Sequence, residues 1–214
     1  MIERYTRKAM GDLWSLEHRF AAWLEVELAV CEAWTELGRI PAADMAVIRE
    51  KAGFDVARIL EIEEVTRHDV IAFLTAVEER VGPAARFIHL GCTSSDIVDT
   101  ANGLLLGRAG DIILASLDNL LSVIRDLAMR HKGQLMIGRT HGIHAEPLSF
   151  GMKMASFYAE FTRHRERFTA ALTGVRVGKI SGAVGGYAHL DPQVEAIALA
   201  RLGLAVDPVS TQLV

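Results

Sequence analysis

Cysteine is scarce in this chain: Cys31 and Cys92 are the only two in 214 residues, far apart and in no C-x-x-C arrangement. Neither a disulfide framework nor a zinc knuckle is implied, and a reducing cytoplasm is the expected compartment. Proline is nearly as rare, with five residues, and aromatic side chains make up 7% of a chain that is 50% hydrophobic. An Ala- and Leu-rich sequence with few breakers and few aromatics favours helices packed on helices over sandwiched sheets. No clustered basic stripe appears and the net charge is -4. That argues against nucleic acid as the main partner, because phosphate binding needs concentrated positive charge. No apolar run approaches the span of a membrane helix, and Met1 to Arg7 lacks the apolar core of a signal peptide, so no membrane partner is expected. The length suits one large domain or two small ones.

What is present is helical rhythm. From Leu13 to Leu37 the apolar residues Leu16, Phe20, Trp23, Leu24, Val26, Ala29, Val30 and Trp34 recur at steps of three and four. Gly38 closes this helix and Pro41 opens the next. Shorter helices are expected through Ile48 and from Asp55 to about Glu64. The stripe from Val98 to about Lys132 contains no proline and predicts a helix on the order of 50 Å long at 1.5 Å per residue. Gly103, Gly107 and Gly110 within it each cost roughly 1 kcal/mol relative to alanine, for which close helix–helix contact is the expected compensation. A second long helix is predicted from Leu148 to about Leu172, and a last one from Pro192 to Leu202.

Three polar breaks interrupt the rhythm. The densest runs from Gly138 to Pro147 and sets Arg139, Thr140, His141, His144 and Glu146 together between the two long helices. An enzyme that hands a proton to a leaving group near neutral pH needs an acid whose pKa lies near 6.5, and histidine supplies it. His141 is the candidate. The H-x-x-H spacing of His141 and His144 also admits a metal site, although Glu146 is not placed as in H-E-x-x-H, and a polar loop whose histidines cap backbone groups is a further alternative.

Thr66-Arg67-His68-Asp69 precedes the stripe Val70, Phe73, Leu74, Val77 and Val81. Asp69 is the expected N-cap, leaving His68 exposed beside Arg67. Gly91-Cys92-Thr93-Ser94-Ser95-Asp96 has the grammar of a capped helix start, with Thr93 and Asp96 at capping-box spacing. Hydroxyls and free N–H groups at one helix end also receive a carboxylate or phosphate. Gly178 to Tyr187 is glycine-rich but matches neither nucleotide fingerprint, and predicts a tight loop or short hairpin.

These segments together resemble the adenylosuccinate lyase family of the fumarase/aspartase superfamily. The resemblance rests on Glu3 to Thr6, Thr66 to Val70, Thr93 to Asp96 followed by Asp99-Thr100-Ala101, Gly138 to Pro147, Lys179 to Tyr187, and Ser210-Thr211-Gln212. It implies an all-α long-helix bundle, with an amino-terminal helical domain over 1–92 and the first part of the central bundle domain over 93–214. It implies a cytoplasmic homotetramer whose active sites each draw on three subunits. The reaction implied is anti β-elimination of fumarate from adenylosuccinate, giving AMP, and from the succinylated carboxamide ribonucleotide of purine biosynthesis, with no metal or organic cofactor. By position, His141 resembles the general acid and His68 its partner. Arg4 and Tyr5 resemble phosphate contacts. Thr93, Ser94, Thr140 and Gln212 resemble groups around the succinyl carboxylates, and Arg67 and Asp69 resemble further substrate contacts. The alternatives are another lyase of the superfamily and a non-catalytic helical assembly module.

The sequence departs from the family in one consequential way. The family's general base is a serine on a glycine- and serine-rich loop with a Met-Pro-x-Lys-x-Asn type run, and no such run occurs in these residues. The chain is expected to end before that loop and before the end of the central domain. Fumarate release from adenylosuccinate by these 214 residues alone is therefore expected to be negligible. Robust turnover in an absorbance assay would contradict the assignment of the base.

Overall fold

The computed structural model describes residues 2–214. Among them are eight α-helices: α1 (Lys8–Leu13), α2 (Leu16–Glu36), α3 (Ala42–Lys51), α4 (Val56–Thr66), α5 (Asp69–Val81), α6 (Ser94–Arg130), α7 (Phe150–Val175) and α8 (Pro192–Leu202). Two small sheets accompany them. Strands β1 (Leu135–Thr140) and β2 (Ile143–Ser149) form an antiparallel hairpin, and β3 (Val177–Gly178) pairs in parallel with β4 (Ala205–Val206). By contact the chain divides into two compact units, Met1–Arg108 with Val175–Val214, and Ala109–Gly174.

Four aromatic rings cluster in the first unit. Phe20 and Trp23 of α2 and Phe73 of α5 are buried, and their ring centroids lie 5.2–5.9 Å apart. Phe54 joins them at 6.1 Å from Phe20. Edge-on and offset ring pairs of this kind contribute beyond the area they bury, so this cluster anchors α2 against α5. Side-chain caps set the helix starts. Ser15 Oγ accepts from His18 N at 3.2 Å, Asp55 Oδ1 from Arg58 N at 2.9 Å, and Asp191 Oδ1 from Gln193 N at 2.9 Å.

Two sequence expectations shift here for that reason. The helix expected from Leu13 begins instead at Leu16, because Ser15 stops α1 and caps α2. Asp69 is not the N-cap of α5 but its first helical residue. His68, with an extended backbone (φ -149°), takes the cap position. An acid in the first turn still interacts favourably with the amino-terminal helix dipole.

In the second unit α6 and α7 run antiparallel. Asp118 pairs with Arg165, a Cβ at Gly110 would meet Leu172, and one at Gly151 would meet the carbonyl oxygen of Ala128, so positions descend in one helix as they rise in the other. The stretch between them is not a loop, as the sequence suggested, but the hairpin β1–β2. Among the described residues no helix is long and apolar enough to cross a membrane.

The compensation for glycines in α6 is only partly helix against helix. Gly110 faces α7, but Gly103 faces β3: a Cβ there would stand 2.2 Å from the carbonyl oxygen of Val177. At Gly107 the nearest atoms, at 3.2 Å, belong to the Arg176 side chain, which can give way. Helix propensity favours alanine at both positions by about 1 kcal/mol. Gly103→Ala is nonetheless expected to destabilise by about 1–3 kcal/mol through backbone overlap, while Gly107→Ala stays within about 0.5 kcal/mol of the parent. Paired denaturation midpoints check this.

Candidate active site

The residues singled out in the sequence fall into three settings. The first joins the start of α6, the glycine-rich loop after β3 and the last residues of the chain. Asp96, in the first turn of α6, is fully buried. Its Oδ2 accepts from Thr93 N at 2.8 Å, which is the acidic half of the expected capping box. The same carboxylate accepts from the backbone N–H groups of Ser181 at 3.1 Å and Gly182 at 3.2 Å, and is paired with the fully buried Lys179 Nζ. One turn on, Thr100 Oγ1 donates to Lys179 O at 2.8 Å and accepts from Lys179 N at 3.0 Å. The far side of the loop is tied to α8: buried Glu195 accepts from Ile180 N at 2.8 Å and from Tyr187 Oη at 2.5 Å. That hydrogen bond pushes the Tyr187 hydroxyl up to about 12, keeping it a donor at neutral pH. Ser181 Oγ lies 3.1 Å from Ser210 Oγ, and Val214 N donates to Asp99 Oδ2 at 3.2 Å. Thr93 and Ser94 at the α6 start and Gln212 in the tail thus belong to segments that hydrogen bonds hold to one loop.

The second setting is the junction of α4 and α5. Arg67 closes α4 in the left-handed region (φ 52°) with an exposed side chain paired to Glu64 at 3.2 Å. His68 Nδ1 accepts from Ile71 N at 3.4 Å, and Asp69 Oδ1 accepts from Val70 N at 2.8 Å. An acceptor at Nδ1 places the proton of a neutral His68 ring on Nε2, so the cap leaves Nε2–H as the outward donor.

The third is the hairpin tip. His141 (φ 53°) and Gly142 (φ 75°) form the two-residue turn between the paired residues Thr140 and Ile143. Positive φ at both turn positions is the type I′ geometry, for which Asn-Gly is the preferred sequence. A histidine at the first position gives up some turn propensity and places an exposed side chain at the end of the ribbon. His144 pairs with Arg139 across the strands. Among the described residues no group of three or more His, Cys, Asp or Glu is gathered as a metal site. Arg4 and Tyr5 lie in a 3₁₀ turn (Glu3–Tyr5), with the guanidinium 4.8 Å from the centre of the Tyr5 ring, itself 73% exposed.

The family described as Lyase matches residues 3–213. The chain belongs to this lyase family. Adenylosuccinate lyase of Bacillus subtilis (strain 168) is 53% identical over 212 residues, 99% of this chain and 49% of that protein. Adenylosuccinate lyase of Synechocystis sp. is 54% identical over 214 residues, 100% of this chain and 50% of that protein. The chain spans about half the length of these relatives. Among solved structures, a fumarate lyase from Mesorhizobium sp. BNC1 superposes with TM-score 0.86 at 29% identity, covering 94% of this chain and 49% of that one. The 3-carboxy-cis,cis-muconate lactonizing enzyme from Pseudomonas putida superposes with TM-score 0.85 at 28% identity, covering 96% and 49%. The helical fold is that of the lyase family.

Several polar residues of this lyase-family chain escaped sequence reasoning. Lys179, Ser181 and Glu195 were legible only as parts of a loop and a helix, although buried acids within apolar stripes are the signal that marks Glu195 and Glu27. Glu27 of α2 is fully buried; it accepts from His89 N at 3.0 Å, and its Oε1 is 2.6 Å from His89 Nδ1. Burial and the negative charge of Glu27 push the thiols of Cys31 and Cys92 up, so neither is a nucleophile at neutral pH.

Burial of His89 disfavours its charged form, but the hydrogen bond and charge of Glu27, with Asp96 beyond, outweigh it and raise the pKa above 6.5. A folded-state value above the unfolded one means that the protonated ring stabilises the fold. That contribution is complete below about pH 6.5 and disappears as pH rises through the folded value. Thermal midpoints measured across this range are expected to fall less steeply for His89→Gln than for the parent.

Proposed function

We propose that the whole protein of which these residues form part eliminates fumarate from adenylosuccinate, giving AMP, and from the succinylated carboxamide ribonucleotide of purine biosynthesis. The observation that carries this reading is the 53% identity, over 99% of the chain, to a relative named adenylosuccinate lyase, against 28–29% for the fumarate lyase and lactonizing-enzyme structures.

In this reaction the proton on the carbon next to a carboxylate passes to a general base, which we place in the half of the relatives' length that this chain does not span. The electron pair left behind becomes the new carbon–carbon double bond as the carbon–nitrogen bond breaks, and the departing nitrogen takes a proton from His141. His68, with Nε2–H directed outward, orients and charges that site. Negative charge builds on the succinyl portion in the transition state, and fixed donors lower its energy. Thr93 and Ser94 at the start of α6, Thr140, Gln212, Arg67 and Asp69 are assigned to that portion and its surroundings, and Arg4 with Tyr5 to the phosphate.

The division at 92/93 belongs to the same reading, supported by the break in helix before α6. So do a cytoplasmic location and a homotetramer. Ile113, Val123, Leu135, Ile143 and Met152 are exposed apolar residues of α6, the hairpin and α7 within the second unit, positions that further copies of the chain would cover. Other copies of the chain covering them would bring His141 and His68 to one centre.

In the full-length protein, His141→Ala is expected to lower kcat for fumarate release by about 10²–10⁴-fold while AMP still binds. Undiminished turnover would contradict the acid assignment. Failure of the parent to bind AMP would favour another superfamily lyase or an assembly module.

A further inference from the structure

We infer that Lys179 is a charge-balancing positioning residue for the dicarboxylate portion of the substrate, cancelling the buried Asp96 carboxylate beneath the start of α6. The inference rests on the reading just proposed, in which Thr93 and Ser94 receive the succinyl group.

Both side chains are fully buried and paired with one another. Asp96 holds the Thr93 N–H from one side and the Ser181 and Gly182 N–H groups from the other. Lys179 Nζ donates, besides, to Gly182 O at 3.2 Å. The carboxylate therefore builds the site by drawing the α6 start and the glycine-rich loop together. It also places a buried negative charge directly under a receptacle meant for a dianion. Lys179 resolves that conflict. It neutralises the charge from within the protein without occupying the hydroxyls of Thr93 and Ser94.

Two unit charges about 6–10 Å apart at an effective dielectric near 20 change binding by roughly ten- to a hundredfold. The sign of the change separates this role from simple packing. Lys179→Met leaves an uncompensated anion and should repel a dicarboxylate. Asp96→Asn leaves an uncompensated cation in a nearly unchanged shape and should attract one. A residue that only held the loop in place would weaken binding in both variants.

The experiment uses the full-length protein, with fumarate as a product inhibitor, AMP binding as the internal control, and KM and kcat for adenylosuccinate. Lys179→Met is expected to raise the fumarate inhibition constant and KM about ten- to a hundredfold and to lower kcat as well, because negative charge grows on the succinyl portion in the transition state, with AMP affinity changed less than about threefold. Asp96→Asn is expected to bind fumarate more tightly than the parent. Fumarate affinity that falls in both variants, or changes in neither, overturns the inference. If Lys179→Met does not fold, Asp96→Asn decides alone: tighter fumarate binding supports the inference, and equal or weaker binding overturns it. A parent that neither cleaves adenylosuccinate nor binds fumarate overturns the proposed activity and this inference with it, whereas an active parent with failing variants overturns the inference alone.

Discussion

A carboxylate with no access to water is the constraint around which the first unit is arranged. Asp96 gives up hydration that is costly to replace, on the order of several kcal/mol for a buried ion. The compensation comes from Lys179 and three backbone N–H groups on two segments. Because those donors lie at both ends of an 83-residue separation, the carboxylate is satisfied only when α6 and the glycine-rich loop are docked. Glu195 repeats the device from the other side with Ile180 N and the Tyr187 hydroxyl. A loop with four glycines between Gly178 and Gly186, which on its own would sample many conformations, is thereby held in one, and the tail follows through Ser181 and Ser210.

The imidazoles obey a different logic. His68 is fixed by serving as a helix cap, which commits one ring nitrogen to the backbone. His141 is fixed by the backbone alone, at the end of a hairpin whose turn geometry would more readily accept asparagine. In both cases a local structural role fixes the backbone that carries the ring.

The long helices were legible because their stripes are long and apolar, and α6 and α8 lie close to where periodicity put them. Departures came where a single side chain decided the outcome. Ser15 cuts α1 from α2, and His68 displaces Asp69 as the cap, since an imidazole nitrogen accepts a hydrogen bond as a carboxylate does. The hairpin is hidden in the sequence because β1 runs Leu135-Met136-Ile137 and then Gly138-Arg139-Thr140, with no apolar–polar alternation, and most of its residues are exposed. The candidate residues were visible as breaks in helical rhythm, but the Asp96–Lys179 and Glu27–His89 pairs were not. Such partners are distant in sequence, and nothing in their local spacing announces them.

The dependence of the loop on Asp96 is tested most directly by native-state amide hydrogen exchange on the full-length protein, read at Thr93, Ser181 and Gly182. If one buried carboxylate holds all three N–H groups, they exchange as slowly as the core of α6 and lose protection together in Asp96→Ala, which leaves them no acceptor. Exchange of Ser181 and Gly182 at the rate of an unconstrained loop in the parent, or protection unaltered by the substitution, would contradict it.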